Sequence, residues 1–140
     1  MKKFALSLLL CLFSLTASAE SWFYLAGSAD GKVKVYGDAK SLDLENHKGW
    51  IKIVDEEQEE ASDVLYRYTA NCKANKVKNT MAIINLKDDK RFFAPTDDGS
   101  EDTVTKGEMN EYIYTWLCEG RYDWLHHMGI KPEHDSGFNK

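Results

Sequence analysis

The chain has 140 residues, with 18 lysines and arginines against 23 aspartates and glutamates, a net charge of -5. That length holds one ordinary domain with one modest core. The acidic balance makes nucleic acids and anionic polysaccharides poor partners, because no lysine or arginine stripe with interleaved aromatics offsets the overall field.

Residues 1–19 open with Lys2 and Lys3, continue as an apolar run from Phe4 to Leu15 and end Ala17-Ser18-Ala19. This is the pattern of a secretory signal peptide cleaved after Ala19. The run is about 12 residues against the roughly 20 that cross a bilayer, so a retained anchor is the weaker alternative. Cys11 sits inside the run, whereas a lipid-attachment cysteine should end it behind small residues. Cleavage leaves an exported chain of net charge -7 (16 minus 23), in which only Cys72 and Cys118 remain. In an oxidising compartment such a pair bridges, the alternative being two buried thiols. A Cys72–Cys118 bridge closes a loop of 46 residues (118 minus 72), worth roughly 4 kcal/mol in the chain-entropy model.

The mature chain begins with the aromatic run Trp22 to Leu25, closed by Ala26-Gly27-Ser28. After Asp30-Gly31, apolar and charged residues alternate from Lys32 to Tyr36. Two strands joined by a longer hairpin loop follow, the second ending at Gly37-Asp38. Asn46 to Gly49 reads as a turn, and Trp50 to Val54 as a strand with Ile51 and Ile53 on one face and Trp50, Lys52 and Val54 on the other. The acidic segment Asp55–Asp63 reads as a solvated connection.

Val64 to Cys72 is the clearest strand: Val64, Tyr66, Tyr68, Ala70 and Cys72 share one side, and Arg67, Thr69 and Asn71 the other. Thr80 to Leu86 and Arg91 to Phe93 are further strands, followed by Pro95 and the polar stretch Thr96 to Asp102. At Thr105 the period changes. Thr105-Lys106-Gly107-Glu108 matches a capping box, with Val104 and Met109 as its hydrophobic staple, so a helix is predicted to start there. Its apolar stripe is Met109, Ile113, Trp116 and Leu117, and Gly120 is the expected stop. Cys118 lies about half a turn from the centre of that stripe, so its bond must leave from the helix flank or a frayed last turn. Tyr122 to Met128 reads as another helical turn, and residues 129–140 as a polar, mobile tail.

These elements predict an α+β domain over residues 20–128: a single antiparallel sheet of about six strands, with a C-terminal helix packed on it and tethered by the disulfide. Val35 to Leu42 (VYGDAKSL), Gly49-Trp50-Ile51-Lys52, Tyr68 before Asn71-Cys72-Lys73, and Cys118 at a helix end resemble the bacterial surface-adhesin protein E-like family. The resemblance spans Trp22 to Cys118 and implies the same sheet-plus-helix fold, often dimeric. It also implies attachment to host matrix or serum proteins at the cell surface or outer membrane. Here Pro95 followed by Asp97-Asp98-Gly99-Ser100 replaces the family's Pro-Gly-Ser before the helix.

His47, His126, His127 and His134 stand beside no nucleophile signature, so a binding protein is expected rather than an enzyme. His126, His127 and His134 with Glu133 and Asp135 offer haem or metal ligands in type, but their spacing matches no zinc pattern and a polar tail explains them; no cofactor is expected. Asp97 to Asp102 places glycine third where a calcium loop needs it sixth, and reads as a solvated acidic loop. The glutamates of Glu56 to Glu60 are either solvated or a dock for a basic partner. Trp22, Trp50, Tyr66, Tyr68 and Trp116 are core candidates, some of which an open sheet face would turn into interface anchors. Two roles follow: an adhesin-like surface protein that binds a protein partner, or a periplasmic interaction, inhibitor or envelope-stress protein. Neither uses a membrane span after cleavage, and a homodimer is among the expected assemblies.

Overall fold

A computed structural model describes residues 21–97 and 99–121. The expected signal segment 1–19, the turn over 122–128 and the tail 129–140, with His126, His127 and His134, lie outside these residues. The strands are β1 (Trp22–Gly27), β2 (Val33–Asp38), β3 (Lys48–Asp55), β4 (Ala61–Asn71), β5 (Lys76–Leu86), β6 (Arg91–Pro95) and β7 (Asp102–Thr103), followed by helix α1 (Met109–Glu119). They form one sheet in the order β1-β2-β3-β4-β5-β6, with β7 beside the start of β5. Every pairing is antiparallel, and α1 packs on one face. Among the described residues no helix is long and apolar enough to cross a membrane.

The predicted sheet, helix and Cys72–Cys118 bridge are present, and several boundaries move for identifiable reasons. β2 ends at Asp38, as expected, but Gly37 is paired within the strand rather than breaking it. Gly37 lies directly beneath the Trp116 indole, where a Cβ would come within 2.5 Å of the ring, so its missing side chain is a packing requirement and not a strand break. The turn before β3 ends at His47, whose φ of 56° reverses the chain, so Lys48 and Gly49 already belong to the strand. The connection expected over Asp55–Asp63 is only residues 56–60, because Asp55 ends β3 and Ala61 to Asp63 pair with β5. β5 begins at Lys76 rather than Thr80, and β7 arises within the stretch expected to be only polar loop.

The helix starts at Met109, not Thr105. Gly107 has a φ of 83°, and Glu108 is extended and forms no side-chain cap, so the capping box does not close. Asn110 holds the lead-in instead: its carbonyl oxygen accepts from the Thr105 N–H at 3.1 Å and its amide donates to the Thr103 carbonyl at 3.0 Å. The helix ends as expected at Gly120, left-handed at φ 67°, whose N–H donates to the Trp116 carbonyl. Leu25, Val35, Ile51, Val77, Ile113, Trp116 and Leu117 form the centre of the core, each at most 2% exposed.

Cys118 bonds to Cys72 from the flank of the intact helix, with their Cα atoms 6.0 Å apart. Beside the bridge, the Tyr114 hydroxyl donates to the Cys72 carbonyl at 2.8 Å. The end of β4 and the last turns of α1 are thus joined twice, once covalently.

Candidate functional site

Directly opposed residues on neighbouring strands share a face, and successive residues alternate between faces. One row across the sheet reads Phe23, Gly37, Ile51, Tyr66, Ala82 and Ala94, and this row faces α1. The adjacent row reads Tyr24, Tyr36, Lys52, Leu65, Ile83 and Phe93, and points to the opposite face. Next to it stand Trp50, Arg67, Met81 and Pro95. No described element covers this second face: Met81 is 39% and Phe93 67% exposed.

Its aromatic rings are interleaved with cations. The Lys52 ammonium lies 4.7 Å from the Trp22 ring centroid and 5.1 Å from that of Tyr36, and the Arg67 guanidinium lies 5.8 Å from that of Trp50. Tyr24 meets Tyr36 edge to face at 5.6 Å. Such contacts hold long cationic side chains flat over rings and contribute about 0.5–1 kcal/mol each at exposed sites.

The same alternation places Lys34, Lys48, Lys76, Lys78 and Arg91 on this face with Lys52 and Arg67, against Asp38 and Asp63 among the described strand residues. Asp63 accepts a hydrogen bond from the Asn85 amide, and Asn85 in turn accepts from Arg91 at 2.8 Å. The chain therefore does carry a basic surface with interleaved aromatics. Sequence reading missed it because it is assembled across strands: only every second residue of each strand contributes, so the cations of β2 to β6 are scattered along the chain. Alternating cations at Lys48 and Lys52 and at Lys76 and Lys78 were the available signal.

Of the aromatic candidates, Trp22 and Trp50 stand on the open face, while Tyr66, Tyr68 and Trp116 lie on the helix side. Tyr68 is 8% exposed, and its burial raises the phenol above the ordinary value, although the Asn79 side chain, by hydrogen bonding, opposes the shift. In the acidic β3–β4 loop, Glu57 lies 3.2 Å from Lys32 and Glu56 3.9 Å from Lys34, all four half-exposed. Asp97 lies 3.9 Å from Lys78, and Asp98 falls outside the described residues.

The bridge has a histidine beside it. A ring nitrogen of His47 and the sulfurs of Cys72 and Cys118 all lie within 4.8 Å of one another. The sulfurs are bonded to each other, so neither offers the thiolate a soft metal needs. His47 Nδ1 lies 3.3 Å from the Leu117 carbonyl, which only accepts, so this bond places a proton on Nδ1. The histidine thus ties the β3 turn to the helix end. On the helix side, a hollow of about 490 Å³ lies at the N-terminal end of α1, with Val33, Ile53, Val64, Tyr66, Ile84 and Met109 among its walls. Asp55, Gln58, Ser62 and Asp63, from the end of β3, the β3–β4 connection and the start of β4, add a polar side to these apolar walls.

In comparisons with known proteins, no family model matches the chain, and no curated protein or solved structure does.

Proposed function

We propose that this chain is an exported binding module that holds a protein partner on the open face of its sheet, in the manner of the surface-adhesin protein E-like proteins it resembles. One observation carries the reading. No described element covers one whole face of the sheet, and that face presents Trp50, Leu65, Met81, Ile83 and Phe93 in adjacent rows. Large rings backed by arginine and surrounded by aliphatic side chains are the composition of interface anchors. Contact, not catalysis, is the role such a surface performs.

Surface protease shaving of intact cells, paired with retention of the mature protein on immobilised host matrix and serum proteins, tests this. Cleavage of surface-displayed protein and retention that Trp50→Ala weakens about tenfold are the expected results. Release by osmotic shock alone, with no surface cleavage and no retention, would remove the adhesin role.

A further inference from the structure

An acidic chain has gathered cations on the sheet face that no described element covers. The densest part is where β3, β4 and β5 meet: Lys48, Thr69 and Lys78 form one cross-strand row, bordered by Trp50 and Arg67. Glu56, Glu57, Glu59 and Glu60 lie exposed in the β3–β4 loop, at the other end of β3 from Lys48.

We infer that this corner recognises an acidic, extended segment of the protein partner, its carboxylates meeting Lys48, Arg67 and Lys78 and an intervening side chain resting on Trp50. The inference rests on the proposed protein-binding role of the face. Lys48, Trp50 and Lys52 alternate along β3, and same-side residues of a strand recur about every 6.7 Å. An extended peptide presents its own alternate side chains at that same spacing, so cation, ring and cation find carboxylate, apolar group and carboxylate without strain in either chain. Arg67 held against the Trp50 ring is a planar, oriented donor suited to a carboxylate.

The ion pairs that Lys78 and Lys34 make within the chain are weak, and the Asp43 carboxylate near Lys48 is shared with the Asn46 amide. Lys78 to Asp97 and Lys34 to Glu56 are both at 3.9 Å, with side chains 31 to 58% exposed, a class of contact whose stabilisation is small and easily exchanged. Like charges on neighbouring strands also repel one another until an anionic partner arrives. Relief of that repulsion is gained only in the complex and adds to the direct attraction.

Fluorescence anisotropy of a labelled alternating glutamate–threonine peptide against the oxidised mature protein provides the test, with heparin and duplex DNA as separate probes. The acidic peptide should bind, weaken about tenfold when salt is raised to about 0.5 M, and weaken at least about tenfold in Lys48→Glu/Arg67→Glu/Lys78→Glu. The neutral Lys48→Gln/Arg67→Gln/Lys78→Gln protein should fall between them, and the exposed control Lys87→Glu/Lys90→Glu/Lys106→Glu should bind as the parent. Circular dichroism confirms that each variant is folded. Unchanged binding in the folded face variants, no binding of the acidic peptide, or preference for heparin or DNA through these residues overturns the inference. Loss of partner retention in Trp50→Ala but not in the charge-reversed protein removes the acidic-partner inference alone. Loss in neither removes the protein-binding role of the face as well.

Discussion

Along β3, Ile51 is fully buried beneath the helix while its neighbours Trp50 and Lys52 stand on the other side of the same sheet, partly in solvent. On the helix side, Val35, Ile51, Ile113 and Leu117 are all 0% exposed and the disulfide locks the covering element in place. On the open side, cations lie across aromatic rings and Phe93 is 67% exposed. Strand alternation thus separates two tasks within single strands. Apolar burial on one face stabilises the fold, while the other face keeps charge and partly covered rings at the solvent boundary. Substitutions on the two faces should therefore fall into different classes.

The largest effect is expected at Trp116, which is 2% exposed, packs 6.1 Å from Phe23 and lies over Gly37. Trp116→Ala should cost about 3–5 kcal/mol in denaturant unfolding, and a cost under about 1 kcal/mol would deny that the helix seals this face. Removing the bridge with Cys72→Ser/Cys118→Ser should cost about 2–4 kcal/mol, chiefly by freeing the unfolded chain across 46 residues. Tyr68 tests the same face by pH. Its burial raises the folded phenol above 10.0, so the unfolded chain ionises first. Stability is then undiminished below the unfolded value and falls as pH rises from there towards the folded one. Thermal melts of the parent should show this decline above pH 10.0, and Tyr68→Phe should reduce it.

The helix-covered face was largely legible in the sequence, because its signals are local. Tyr66, Tyr68 and Ala70 alternate within one strand, Ile113, Trp116 and Leu117 repeat within one helix, and the cysteines were too few to pair otherwise. Where reading failed, the deciding residue was distant. Gly37 resembles a break until Trp116 is placed above it, and Thr105-Lys106-Gly107-Glu108 resembles a cap until Gly107 turns left-handed and Asn110 reaches back. The start of β5 was hidden because Lys76 to Asn79 contains a single apolar residue, Val77, and gains its strand character from pairing with β4. The open face was least legible, since its charge is a sum over neighbouring strands and only the register performs that sum.

The smallest stability effect, and the sharpest contrast with Trp116, is expected at Trp50. Its ring is partly in solvent, opposite Arg67 in the β3–β4 ladder, and the guanidinium rests 5.8 Å from its centroid. A cation–ring contact between partly buried side chains and a cross-strand pair each contribute less than the burial of a whole core side chain, so Trp50→Ala should cost about 1 kcal/mol. Partner binding should nevertheless weaken about tenfold, because a ring that is partly hydrated in the free protein loses its remaining water only in a complex. Unfolding and retention measured on the same protein separate these quantities. A loss of several kcal/mol at Trp50 would mean that the open face also holds the fold together, and the division of labour between the two faces would then be wrong.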